Sequence, residues 1–79
     1  MSDFSIRIPR TSVAVSEATL LGFIVQDGQE VREGEPLFLI ETEKVETEVD
    51  AGATGRVHWT GTVDTVYDIG TVIGTIERV

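Results

Sequence analysis

The sequence predicts an all-β chain, and three observations carry that prediction. Polar and apolar residues alternate with period two, most clearly where Val45, Thr47 and Val49 interleave with Glu46, Glu48 and Asp50. Val, Ile and Thr are abundant, and eight glycines punctuate the runs they form. No stretch sustains a helical period beyond a few turns. In chain order, strands are expected over residues 5–8, 18–25, 36–41, 45–50, 55–60 and 71–78, with shorter bridges near 11–15, 30–31 and 65–67. The strand at 36–41 is a short apolar run opened by Pro36, and the next is the alternating segment from Val45 to Asp50. Asp27-Gly28, Glu33-Gly34, Ala51-Gly52 and Ile69-Gly70 interrupt the pattern with residues able to take positive φ, so turns are expected there.

A length of 79 residues suits one domain spanning 1–79 with a single small core, whose stability depends on every apolar strand face. There is no cysteine, which excludes a disulfide framework and thiolate metal sites. His58 is the only histidine, too few for a multi-histidine metal site, and no motif places Ser and Asp partners for it. The acids 46, 48 and 50 alternate along a strand and lack the glycine-containing loop that wraps calcium. Gly70 and Gly74 lack the lysine and helix of a phosphate loop. Trp59 and Tyr67 sit in apolar alternation and are read as packing residues. Fourteen acids against six basic residues give a net charge of −8, which speaks against nucleic acid and favours partners with basic surfaces. Neither a signal peptide nor a long apolar segment is present, so no membrane association is expected. The expected location is cytoplasmic, or the mitochondrial matrix if a presequence was removed.

The candidate functional residue is Lys44, in Glu41-Thr42-Glu43-Lys44-Val45-Glu46 between two expected strands. With Glu43 and Lys44 as the central pair of a tight turn, the amine would project from a stiff two-stranded platform. On local pattern alone, a solvated lysine that partly neutralises Glu41 and Glu43 is the plainer reading.

The segment Glu41-Thr42-Glu43-Lys44-Val45-Glu46-Thr47-Glu48-Val49-Asp50-Ala51 resembles the attachment motif of lipoyl domains in the biotinyl/lipoyl carrier family, with Lys44 matching the modified lysine. Gly28 lies 44 − 28 = 16 positions before it and Gly55 lies 55 − 44 = 11 after, spacings shared with that family. Glu17-Ala18-Thr19-Leu20 and Asp27 through Leu37 extend the likeness over nearly the whole chain. Three positions depart from it. Glu43 replaces the usual Asp, Val45 the usual Ala, and Gly52 the Pro that commonly follows Ala51, where glycine is expected to loosen the bend.

The resemblance implies a flattened barrel-sandwich of two antiparallel sheets with pseudo-twofold symmetry, the attachment hairpin at one end and the chain ends at the other. It implies lipoate covalently attached to Lys44, with Glu41, Glu43, Val45, Gly28 and Gly55 as attachment-motif and turn positions. The implied role is a non-catalytic swinging arm that carries acyl groups and reducing equivalents in a 2-oxo acid dehydrogenase complex. Implied partners are a lipoate ligase or lipoyl transferase, a thiamine-dependent 2-oxo acid decarboxylase, an acyltransferase and dihydrolipoamide dehydrogenase. The loop 9–16 is a candidate second docking element. Two alternatives stand beside this reading: a biotin carrier domain of a carboxylase, and an unmodified barrel-sandwich interaction module. Biotin acceptors usually present Met-Lys-Met, whereas here Glu43 and Val45 flank the lysine and the only methionine is Met1.

An internal repeat supports the symmetry. Sliding the sequence by 36 pairs Leu21 with Val57, Phe23 with Trp59, Gly34 with Gly70, Leu37 with Ile73 and Ile40 with Ile76. On this offset the position equivalent to Lys44 falls at Ile8 and just past Val79, which would set both termini opposite the hairpin tip.

Overall fold

Eight strands form where the sequence alternates. The computed structural model describes residues 3–78, with β1 at Asp3–Arg7, β2 at Glu17–Phe23, β3 at Glu30–Val31, β4 at Pro36–Thr42, β5 at Val45–Asp50, β6 at Gly55–Trp59, β7 at Thr65–Asp68 and β8 at Val72–Glu77. They make two four-stranded antiparallel sheets, in the orders β1-β8-β6-β3 and β5-β4-β2-β7, and no helix occurs among the described residues. The expected strand over 18–25 stops at Phe23, the one over 45–50 matches β5 end to end, and the other long strands differ from expectation by a residue or two at their ends.

One expected bridge, at 11–15, does not form. Four of its backbone groups are satisfied locally, the Val15 amide donating to the Ser12 carbonyl at 3.2 Å and Arg10 Nη1 donating to the carbonyls of Val13 and Val15 at 3.2 and 3.0 Å, and residues 11–14 are exposed to water. With these groups occupied, the segment has no need of a neighbouring strand.

The two sheets are copies of each other. A shift of 36 carries β2, β3 and β4 onto β6, β7 and β8, so β5-β4-β2-β7 becomes β1-β8-β6-β3 if β5 corresponds to β1. The registers support this. The β4–β5 pairs Pro36↔Asp50, Phe38↔Val49, Leu39↔Glu48 and Ile40↔Thr47 match the β8–β1 pairs Val72↔Arg7, Gly74↔Ile6, Thr75↔Ser5 and Ile76↔Phe4. Even the irregularity is shared: each ladder skips one residue, Leu37 in β4 and Ile73 in β8. The bulge turns that extra apolar residue inward next to a core neighbour, and Leu37 and Ile73 are both fully buried. Gly22↔Leu39 and Phe23↔Phe38 likewise match His58↔Thr75 and Trp59↔Gly74.

These ladders correct one expectation. Val49 corresponds to Ile6, an offset of 49 − 6 = 43, so Ile8 is the counterpart of Ala51 and not of Lys44. By these offsets the counterparts of Glu43 and Lys44 are Val79 and Met1, which lie outside the described residues.

The core fills the space between the sheets with Leu20, Leu37, Phe38, Ile40, Val57, Ile73 and Ile76. Phe23 and Trp59, equivalent in the repeat, stack with centroids 4.2 Å apart and planes 15° from parallel, which puts them near the pseudo-twofold axis. The Trp59 ring also meets the Phe38 ring edge-on at 6.0 Å, and its Nε1 donates to the Val25 carbonyl at 3.0 Å. Such aromatic pairs contribute about 0.5–1.5 kcal/mol beyond the area they bury. Trp59 is therefore a packing residue, as its alternation suggested.

Contacts place the start of β1 and the end of β8 away from the hairpin. The Phe4 ring lies against Gly52, just beyond β5, and the Glu77 backbone lies against Gly55. At the other end, the Thr11 hydroxyl is 3.4 Å from that of Thr42, beside the Lys44 turn.

Candidate functional site

The site begins with the β4–β5 ladder, which past its bulge at Leu37 runs in regular register to its tip. Thr42 pairs with Val45, leaving Glu43 and Lys44 as a two-residue loop. Their φ angles are 49° and 67°. Positive φ at both central positions matches the right-handed twist of the flanking strands, and such turns favour Asn-Gly because other residues resist this conformation. Glu43 and Lys44 have no such freedom, so the turn is held against a strain of about 1–2 kcal/mol per residue. The ladder and the Thr42 side chain supply the restraint. Thr42 is buried, with only the long hydroxyl contact to Thr11 beside it.

Lys44 is exposed and forms no ion pair with any described carboxylate; His58 and Glu77, 3.9 Å apart, make the sole pair among the described residues. Its amine is not engaged by Glu41 or Glu43, so the plainer reading of a neutralising lysine lacks its contact. Lys44 is also the only lysine in the sequence.

Around it the charge is negative. Glu41 pairs with Glu46 across the ladder, and Leu39 with Glu48, so the outer face of edge strand β5 carries acids. Like charges directly opposite each other are unfavourable, although they also discourage another chain from pairing with this edge. A single row crosses the sheet from Val66 through Thr19 and Glu41 to Glu46. It borders an open cleft of about 300 Å³ lined by Ala14, Glu17, Thr19, Glu41, Glu43 and Val66. The loop 9–16 thus lies beside the hairpin. At its crest Val13 is 94% exposed, held out by the Arg10 bonds to its own carbonyl and to that of Val15.

Of the residues singled out in the sequence, Glu41, Glu43, Lys44 and Val45 come together at the tip, where Val45 is 59% exposed. Gly28 and Gly55 do not join them. Gly28, at φ 85°, donates its amide to the Val57 carbonyl at 2.6 Å, while Gly55 pairs with Val31. A Cβ at Gly55 would fall on the Glu77 carbonyl oxygen. These two glycines shape the opposite sheet and touch the site only through the fold. Gly52 departs from expectation as well. It is absent from the positive-φ residues, whereas Gly28, Gly34 and Gly70 are among them. A Cβ at 52 would lie 2.6 Å from Phe4 Cζ, so glycine here makes room for a ring. Alternation marks neither Val13 nor Arg10, because their roles depend on a loop whose shape only the folded chain defines.

A family model described as "Biotin-requiring enzyme", for biotin and lipoyl attachment, matches residues 5–76. The chain belongs to the biotin/lipoyl attachment family. Within this family it is 36% identical, over 75 residues, to the dihydrolipoyllysine-residue succinyltransferase component of the 2-oxoglutarate dehydrogenase complex of Bacillus subtilis (strain 168). That match covers 92% of this chain and 18% of the relative. It is also 36% identical, over 52 residues, to the dihydrolipoyllysine-residue acetyltransferase component of the pyruvate dehydrogenase complex of Mycobacterium bovis, covering 66% of this chain and 9% of the relative. The chain therefore spans less than a fifth of the length of these curated relatives.

Proposed function

We propose that the chain is a lipoyl carrier domain of a 2-oxo acid dehydrogenase-type complex, with lipoate joined by an amide to Lys44. The observation that carries this reading is a lone, unpaired lysine at the tip of a stiff hairpin in a member of an attachment family. The site fits the group: the amine is exposed for a ligase, and nothing described encloses it. When bound, lipoate supplies a dithiolane that opens to accept an acyl group as a thioester together with two electrons. The protein contributes position. The β4–β5 ladder fixes the root of the arm, which raises its effective concentration at each partner site while the domain itself performs no chemistry. Glu43 and Val45 in place of flanking methionines favour lipoate over biotin.

The partners follow from the same reading: a lipoate ligase or lipoyl transferase, a thiamine-dependent 2-oxo acid decarboxylase, an acyltransferase and dihydrolipoamide dehydrogenase. Glu17, Glu41, Glu43 and Glu46, with exposed Val13 alongside, face a partner whose active-site mouth is basic with an apolar rim. Coexpression with lipoyl and biotin ligases, followed by intact-mass measurement, tests the assignment. A single lipoyl adduct that disappears in Lys44→Arg is expected. A biotin adduct alone, or equal modification of the variant, would overturn it.

A further inference from the structure

We propose that the lysine-bearing end of the domain is built to be inert toward its own cargo: it uses arginine for its cations, so that a thioester on the arm meets no side-chain amine or thiol able to strip off the acyl group. The inference rests on the lipoyl reading above. Of the six basic residues one is Lys44, which the arm consumes, and the remaining 6 − 1 = 5 are all arginine, in a chain without cysteine.

The usual structural reason for arginine is a planar fork that grips a carboxylate through two parallel bonds. That reason fails here. Arg7 donates from Nη1 alone to the Gly70 carbonyl at 2.9 Å, and Arg10 from Nη1 alone to the carbonyls of Val13 and Val15. No described arginine is ion-paired with a carboxylate. An ammonium with three donors could make the same bonds. The two cations differ in reactivity: at pH 7 an ordinary lysine amine is neutral and nucleophilic in roughly one molecule in 2,000, and a guanidinium sheds its proton orders of magnitude less often.

Proximity makes that difference matter. Arg10 adjoins Thr11, whose hydroxyl lies 3.4 Å from that of Thr42, two positions from Lys44, and Ala14 lines the same cleft as Glu43. A group tethered at Lys44 would meet these positions at an effective concentration of the order of millimolar. An amine placed there would attack the thioester carbonyl. The C–S bond breaks, an amide C–N bond forms, and the departing sulfur takes up the proton that the amine releases. No oxidant or reductant is required, and the acyl group is lost to the domain.

The test compares lipoylated wild type with Arg10→Lys, Ala14→Lys and Arg32→Lys. Position 14 is exposed, so a lysine there does not disturb the fold. Arg32 stands in the turn before β4, at the end away from Lys44, and serves as the distant control. Each reduced arm is acetylated by exchange with an aryl thioacetate at pH 6, desalted and held at pH 8, with unlipoylated protein treated in parallel to subtract direct acetylation. Intact mass before and after hydroxylamine, which cleaves thioesters but not amides, reads the transfer, and peptide mapping locates it. Acetyl-amide is expected at positions 10 and 14 at about ten times the rate seen in wild type and in Arg32→Lys. Transfer in Arg10→Lys and Ala14→Lys no faster than in Arg32→Lys would overturn the proposal, as would a wild type that loses its acetyl group to another side chain equally fast. Failure of the lipoyl reading would show separately, as absence of the arm before any acetylation.

Discussion

The β4–β5 and β8–β1 ladders share register and bulge, yet one is closed by a strained two-residue turn while the other joins the first and last strands, which no turn connects. The difference separates what the fold needs from what the function adds. Both ladders bury the same kinds of residue, Leu37, Phe38 and Ile40 in one, Ile73 and Ile76 in the other. The barrel therefore does not depend on a turn with two left-handed non-glycine residues, since its second half lacks one. The strain at Glu43 and Lys44 belongs to the display of the amine.

The largest effect that tests this separation is chemical. Lys44→Arg should abolish ligase modification and move the urea midpoint by less than about 0.5 kcal/mol equivalent, because an exposed, unpaired side chain adds little stability. A large loss of stability would tie the turn to the fold after all. Next is Gly55→Ala, where a Cβ would fall on the Glu77 backbone; a loss of about 3 kcal/mol or more is expected by equilibrium urea unfolding. The repeat counterpart of Gly55 is Thr19, which carries a side chain, so this constraint belongs to one half only. Smaller is Gly52→Ala, expected to cost about 1 kcal/mol through contact with the Phe4 ring. In a double-mutant cycle with Phe4→Leu most of that cost should vanish, and an additive result would remove the ring as its cause. Smallest is Glu43→Asn, which should stabilise by about 0.5 kcal/mol because Asn tolerates positive φ more readily.

Much of this was legible in the sequence because period-two alternation is a local signal. Alternation marks the strand at 45–50, the apolar run after Pro36 marks the one at 36–41, and the short polar link between them sets Lys44 at a hairpin tip. Other features needed the folded chain. Gly52 signals a flexible bend by its type, but its role is to leave space for a ring 48 positions away in sequence, 52 − 4 = 48. The left-handed turn is hidden because neither Glu43 nor Lys44 is a residue that favours it. The 36-residue shift misplaces the equivalence of β5 and β1 because these two strands are related by an offset of 43, and no residue identity in the sequence marks that change of offset. In loop 9–16, the hydrogen bonds of Arg10 outweigh the β propensity of Val13 and Val15.

The most direct measurement is backbone ¹⁵N relaxation of the lipoylated domain, read at Glu43, Lys44 and Val45 against the β4–β5 ladder. A rigid mount for a mobile arm predicts order parameters near 0.85 at all three, equal to those of the ladder. Values below about 0.6 at the turn would mean that the lysine is carried on a loose loop, and the stiff-hairpin account would be contradicted.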